Sequence, residues 1–334
     1  MNGTPIVSST PAELPVATRR KLHGLLTPGE VAALSRRSDW RGAWAILSTW
    51  AVIAAAFALA ALWPNPLSFV VALCLIAGRQ LALAVLQHEA AHGTLFKTRW
   101  LNEHAADWLC ARPVWQHLAK YRAHHLVHHT RTGTDEDIDI SLHEGYPVSA
   151  ASLRRKLLRD AIGITGLKLV LGRMLMDAGV LKWTVASRVE KLPQQGRHWW
   201  DYPAAFLRNA GGMLLCNLLL WAVLAAAGHG WLYGLWVLAQ IAPFPLFVRI
   251  RSIAEHGMLP RATDMFLNTR TTRATLFDRL FVAPCHVNYH LEHHAMASVP
   301  YYRLPRLHAL LRQRGAVAAP AGYGAVLRLA GSGP

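Results

Sequence analysis

Apolar residues in this chain are gathered into long runs rather than spread at the period of a soluble amphipathic fold. A helix needs roughly 20 mostly apolar residues to cover the about 30 Å of bilayer hydrocarbon at about 1.5 Å per residue. Four runs meet that length, at approximately 43–63, 67–86, 205–227 and 230–250. Pro64-Asn65-Pro66 joins the first two and Gly228-His229 the last two, which predicts two helical hairpins with tight turns. A weaker apolar stretch, 161–181, is broken by Lys168, Arg173 and Asp177 and reads as an amphipathic helix lying at a surface. Trp199, Trp200 and Tyr202 before the third run, and Trp231 and Tyr233 after the second turn, fit interfacial anchors. The expected fold class is all-α, an integral membrane protein with four transmembrane helices. Its expected parts are an amino-terminal segment (1–42), a membrane body (43–313) and a loose Gly/Ala/Pro-rich tail (314–334).

Composition agrees with a membrane: 53% of the 334 residues are hydrophobic and 16% charged. The 35 Lys and Arg against 19 Asp and Glu leave a formal net charge of +16, which on a soluble domain would suggest nucleic acid. Neither tight turn carries a charged residue, however, so the basic residues flank the spans on one side. The positive-inside rule then puts both termini and the middle loop in the cytosol, facing anionic membrane lipids, and no nucleic-acid partner is expected. Arg19-Arg20-Lys21 is not followed early enough by an apolar stretch to make a signal peptide. Arg79, inside the second run, is expected to snorkel to the interface rather than to pair with a substrate group. Cys74, Cys110, Cys216 and Cys285 form no CxxC pair, which argues against a disulfide framework or a thiolate zinc site.

The 18 histidines are the compositional anomaly. They cluster as His88-Glu89-Ala90-Ala91-His92 after the second run, His124-His125-Leu126-Val127-His128-His129 in the middle loop, and His290-Leu291-Glu292-His293-His294 after the fourth. Helical residues three and four apart share a face, so His88 and His92 converge, as do His125, His128 and His129, and His290, His293 and His294. Each box is a ligand set, and together they suit two metals better than one. Imidazole alone leaves zinc, copper, iron and nickel open. An apolar substrate drawn from the membrane, with no nucleophile or Gly-rich loop in sight, favours a redox metal able to use O2. HEAAH also fits the HExxH pattern of zinc proteases, but a zinc site of about three ligands would leave at least five clustered histidines idle. A metal-storage or transport protein would want ionisable groups at mid-bilayer, whereas the boxes lie outside it.

The three boxes, their order, the hairpin pattern and the stretches Thr132-Gly133-Thr134-Asp135-Glu136-Asp137, Arg251-Ser252-Ile253-Ala254-Glu255-His256 and Val299-Pro300-Tyr301-Tyr302-Arg303-Leu304-Pro305 resemble the membrane-bound fatty acid desaturase family over about 40–312. That resemblance implies two iron ions held by histidines in a cytosolic helical cap, an acyl chain of a fatty acid or lipid as substrate, and O2 as co-substrate. The ligands it implies are His88, His92, His125, His128, His129, His290, His293 and His294, with His256 as the ninth. The same scaffold also serves hydroxylases and carotenoid-type ketolases. No His-Pro-Gly-Gly haem segment is present, so electrons are expected from an external ferredoxin or cytochrome b5-like donor. Metal-bound imidazoles donate their other N–H to a carboxylate or carbonyl, and Glu89, Asp135, Asp137, Asp139, Glu255 and Glu292 are placed to accept. His124 and His286 are expected near the site without ligating. His104, His117, His143, His198, His229 and His308 read as ordinary surface histidines. Two departures from the family bear on the substrate pocket: Ala295-Met296-Ala297 replaces an apolar-Phe-Pro run, and Asp137-Ile138-Asp139 lacks the usual proline.

Overall fold

The fold is that of a computed structural model, which describes residues 22, 24–183 and 188–334; Arg19-Arg20-Lys21 falls outside them. It is mostly helical, and four of its helices are long and apolar enough to cross a membrane. A short helix α1 (Pro28–Leu34) precedes the first of these, α2 (Asp39–Leu62), and the second is α3 (Pro66–Ala91). The turn between α2 and α3 is built by its own sequence. Asn65 caps α3, its side-chain oxygen accepting from the Leu67 and Ser68 N–H groups, and Pro66 stands at the first position, where no N–H is needed. α3 runs past the expected end of its span to Ala91, so the first histidine box is its last turn and His92 its C-cap.

The middle region holds α4 (Leu118–Arg131), α5 (Ala150–Ala161) and α6 (Ile164–Asp177), followed by a pair of short antiparallel strands, β1 (Leu181–Trp183) and β2 (Val189–Lys191). The helix expected over 161–181 is present as α6, set off from α5 at Gly163, whose φ of 88° suits glycine; the strand pair that follows it was not expected. Leu167, Leu169, Leu171 and Met174 of α6 are exposed.

The third long helix is α7 (Asp201–Ala226). The fourth is not continuous, as expected over 230–250, but consists of α8 (Tyr233–Ile241) and α9 (Pro243–His256), divided at Ala242. Pro243 and Pro245 cause the break, since each lacks an N–H and its ring excludes the carbonyl four residues back. The second piece then runs on to His256. Beyond it come α10 (Met265–Asn268), α11 (Leu276–Phe281), α12 (His290–Ala295), α13 (Leu304–Gln313) and α14 (Tyr323–Ala330). The last of these corrects the expected loose tail: Tyr323, Val326 and Ala330 are buried, and the Ala330 carbonyl accepts from Val148 N. An amphipathic eight-residue helix docked on the body is what the apolar positions of 323–330 encode.

Polar groups register the apolar helices against one another. Gln80 of α3 donates to the Trp236 carbonyl of α8 at 2.9 Å, and the Trp236 indole donates to Asn217 of α7 at 3.2 Å. Tyr233 reaches the same Asn217 oxygen, and Trp50 of α2 stacks on Trp236 at 5.9 Å. In an apolar surrounding such bonds have no water to compete with them. Arg79 does not snorkel: its guanidinium donates to the Arg279 and Leu280 carbonyls of α11. Gly78 lies beneath the same helix, where a Cβ would strike the Leu280 carbonyl oxygen.

Gly78→Ala should therefore lower stability by about 1–3 kcal/mol through overpacking. Gly211→Ala in α7, where an added methyl meets nothing within 4 Å, should be neutral or raise stability by up to about 1 kcal/mol through helix propensity. Thermal unfolding of both variants in one detergent checks the contrast.

Candidate metal centre

Four segments bring the histidines together. His88 and His92 stand one turn apart at the end of α3, and His125, His128 and His129 line the buried face of α4. His256 is the last residue of α9, and His290, His293 and His294 lie on the wholly buried α12. Their nitrogen atoms form two groups. His88, His92, His125, His129 and His293 have ligand atoms all within 4.8 Å of one another, as do those of His128, His256, His290 and His294. Three contacts close the gaps between distant segments, Nε2 to Nε2: His92 to His125 at 2.9 Å, His256 to His290 at 2.8 Å and His129 to His293 at 3.0 Å.

Arg122 of α4 docks the second box on the first, donating to the Ala90 and Ala91 carbonyls at the end of α3 and to Glu103. The approach to α12 is bent: Cys285 and His286 both take left-handed backbone angles, with φ of 51° and 56°.

The carboxylates divide into those that hold the cluster and those that do not. Asp137, wholly buried, accepts from His128 Nδ1 at 2.8 Å and from His143 Nε2 at 3.3 Å. Asp139 accepts from His124 Nε2 at 2.9 Å, which places His124 around the cluster and in neither nitrogen group. Glu255 lies 3.4 Å from His290 Nδ1 and accepts from Arg251. Glu292 accepts from His308 Nδ1 at 2.7 Å and from Thr271. Glu89 accepts from Thr94 and from the Tyr301 N–H, with His88 Nδ1 at 3.6 Å. Asp135 departs from expectation: it is exposed and paired with Arg261, away from the histidines. His286 faces Arg279 and belongs to neither group.

Sequence reasoning missed two members. His143 and His308, expected at the surface as ordinary residues, hold Asp137 and Glu292. His308 is the fifth residue of α13, buried beside Leu307 and Leu311, and that amphipathic spacing was the available signal. Nothing local marks His143. His117 also has a local task, since its Nδ1 accepts from Ala119 N at the start of α4. The His256 Nδ1–H points to the Asn268 carbonyl at 3.2 Å.

Burial, aided by neighbouring imidazoles, holds His125, His129, His290, His293 and His294 well below the ordinary histidine range. Burial together with Arg122 pushes His92 down to about 3. These rings are therefore neutral at pH 7 and offer lone pairs. His128 is the exception: burial opposes its charged form, but the Asp137 hydrogen bond and the charges of Asp137, Asp139 and Glu255 outweigh it and raise the pKa. Burial likewise opposes the charge on Asp137, yet hydrogen bonds from His128 and His143 hold it well below the carboxylate range. An ionised Asp137 keeps the His128 proton on Nδ1 and turns Nε2 inward.

The donor set fits metal ions. His88 and His294 are buried with no hydrogen-bond partner on either nitrogen, and the outer Nδ1 of His293 is buried and unpaired too. Buried, unpaired nitrogens cost about 1–3 kcal/mol each, and inward lone pairs are what a metal would satisfy.

The sequence model described as "Fatty acid desaturase" matches residues 64–325, well over half of the chain. A curated relative, dihydrorhizobitoxine desaturase of Bradyrhizobium elkanii, is 26% identical over 285 residues, covering 83% of this chain and 77% of the relative.

Two outcomes are expected. Asp137→Asn should weaken metal retention by about 10–100-fold in chelator competition, while Asp135→Asn, altering only an exposed pair with Arg261, should leave it unchanged. In metal-depleted protein, unfolding exposes imidazoles that titrate near 6.5, whereas the folded rings stay neutral, His92 down to about 3. Below about pH 6.5 the unfolded chain then binds more protons, so the melting temperature should fall steadily as pH drops from 7 toward 4. His128 works in the opposite direction, as one ring against six.

Proposed function

The chain belongs to the fatty acid desaturase family, and from that premise we propose that it is an O2-dependent di-iron desaturase that introduces a double bond into an acyl chain of a fatty acid or lipid. The observation that carries this reading is the gathering of nine histidines, all buried but the half-buried His92, into two groups, with His88, His92 and His256 standing at the ends of apolar helices. One iron would be held from His88, His92, His125, His129 and His293, the other from His128, His256, His290 and His294. When bound, the pair supplies the O2-dependent oxidation that an unactivated C–H bond requires.

The chain's own residues do the remaining work. Asp137 holds the proton on His128 Nδ1, and the Asn268 carbonyl accepts the one on His256 Nδ1, so that the inner nitrogens stay free. Glu255 lies beside the outer nitrogen of His290. Burial of α12 on all sides excludes bulk water from the reacting region, which limits side reactions. α3 and α4 fix their histidines on rigid turns, tied by Arg122, so the substrate methylenes meet a preset geometry.

The four long helices form two hairpins in the bilayer, with both termini and the metal site on the cytosolic side. The charge-free connections 63–65 and 227–229, against basic residues elsewhere, support that orientation. Electrons come from an external ferredoxin or cytochrome b5-like protein. The relative's name favours desaturation over the hydroxylase or ketolase outcome of the same scaffold. The zinc protease reading of HEAAH is disfavoured by Glu89, whose carboxylate is engaged by Thr94 and the Tyr301 N–H rather than free to act as a base.

Expression in a bacterial host followed by mass spectrometry of total lipids tests the reading. A product lacking two hydrogens should appear, and it should vanish in His125→Ala and His293→Ala. Gain of one oxygen would instead indicate hydroxylation, and stoichiometric zinc in active protein would overturn the iron assignment.

A further inference from the structure

We propose that α11, the six-residue helix between the fourth long helix and the third histidine box, is embedded among lipid acyl chains as a membrane segment additional to the four spans. The inference rests on the reading that α3 crosses the bilayer.

Its position is fixed by two adjacent residues of α3. Gly78 leaves room for the Leu280 carbonyl, and Arg79 Nη2 donates to the Arg279 carbonyl at 3.1 Å and the Leu280 carbonyl at 2.6 Å. The depth of that contact follows from the α2–α3 turn. Trp44 lies eighteen residues before the end of α2, and Gly78 twelve residues after the start of α3. At about 1.5 Å per residue, Gly78 is about 9 Å nearer the bilayer centre than Trp44. Trp40 and Trp44 are exposed, their rings tilted at 30° with centroids 6.2 Å apart, as belongs to an interfacial belt. α11 therefore sits below the headgroup level.

Its surface suits that place. One stripe of α3 runs through Leu67, Val71, Cys74 and Gly78, spaced four, three and four apart. Leu67 and Val71 are exposed, Cys74 is half-buried, and Gly78 disappears under α11. Where α11 covers the stripe it substitutes its own apolar side chains: Leu276 is 83% exposed, Phe277 69% and Leu280 41%. The lipid-facing surface of α3 thus continues onto α11, and acyl chains are the occupant that continuity selects. Three large exposed apolar residues in six would be costly against water.

The polar groups of α11 are handled within the protein. Thr275 and Asp278 form a reciprocal cap at its start. Arg79 satisfies two carbonyls at its end, and the Arg279 guanidinium lies 3.2 Å from His286 Nδ1. In hydrocarbon, unsatisfied backbone groups cost several kcal/mol each, which gives a charged residue at mid-span a reason to exist. The third box follows α11 within nine residues, so this insertion sets the level of His290 relative to the lipid.

Full-length protein in lipid nanodiscs tests the proposal by nitroxide accessibility. Single labels are placed by Leu276→Cys, Val70→Cys and Gln313→Cys on a chain whose four native cysteines are changed to alanine. The label at 276 should match that at 70, accessible to O2 and several-fold less accessible to a water-soluble nickel complex than the label at 313. A label at 276 as open to nickel as that at 313, with 70 still shielded, overturns the proposal alone. Nickel access at 70 overturns the spanning reading of α3 and the proposal with it. Hydroxyl-radical footprinting of the unaltered protein is the second measurement. After correction for intrinsic reactivity, Phe277 should be as protected as Trp221 of α7, and several-fold faster oxidation overturns the insertion.

Discussion

Gathering nine imidazoles, most of them dry and neutral, so that they converge is the constraint around which the molecule is arranged. A protonated ring in that crowd would be both desolvated and repelled by its neighbours, so the fold must exclude water on every side and still aim the lone pairs inward. It does so by taking the histidines from helix ends and short helices rather than from loops. α3 supplies a rigid turn, α4 a second, and α12 is buried along its whole length. Outer partners come from elsewhere in the chain, Asp137 for His128 and the Asn268 carbonyl for His256. A cluster assembled from four separated segments tolerates little slack, because displacing any one of them leaves the others as unpaired buried polar groups.

That demand explains the polar contacts among otherwise apolar helices. Gln80, Asn217 and Trp236 tie α3, α7 and α8 at a level well away from the histidines. Nearer the cluster, Arg249 of α9 is bonded to the fully buried Asp160 of α5, and Arg122 holds α4 to the end of α3. Each is a directional bond across elements that apolar packing alone would let slide or rotate. The break at Ala242 belongs to the same logic. A straight helix from Gly230 would fix the direction of His256 by that of Tyr233, whereas a proline break lets α9 take its own direction to the cluster.

The features legible in the sequence are those written in local periodicity. Apolar runs showed the four long helices, and spacings of three and four showed which histidines share a helical face; those eight, and His256, which only the family resemblance supplied, fall in the two nitrogen groups. Features set by long-range contact were not legible. Asp135 and Asp137 are two residues apart in one acidic stretch, yet one is exposed beside Arg261 and the other buried between His128 and His143. Nothing near Arg79 shows that it will cap a helix two hundred residues away. Other misses had a signal. Pro243 and Pro245 stood inside the fourth apolar run, and the apolar spacing of Tyr323, Val326 and Ala330 marked a docked helix where composition suggested a loose end.

The length of α3 then couples the chemistry to the membrane. Its 26 residues extend about 39 Å, whereas the hydrocarbon core is about 30 Å thick. On the proposed reading that α3 spans the bilayer from the far boundary, the excess of about 9 Å, or six residues, would carry Leu86 to Ala91 out of the acyl region, and His88 with them. An imidazole cluster at that height would lie just beyond the acyl chains, near enough for one to reach it without the polar nitrogens being drawn into lipid. A shorter α3 would sink the first box into hydrocarbon, and a longer one would lift it beyond the reach of a chain anchored at the interface. In that proposed arrangement the overhang of α3 past its apolar run is the dimension that would let one scaffold hold polar ligands and meet an apolar substrate.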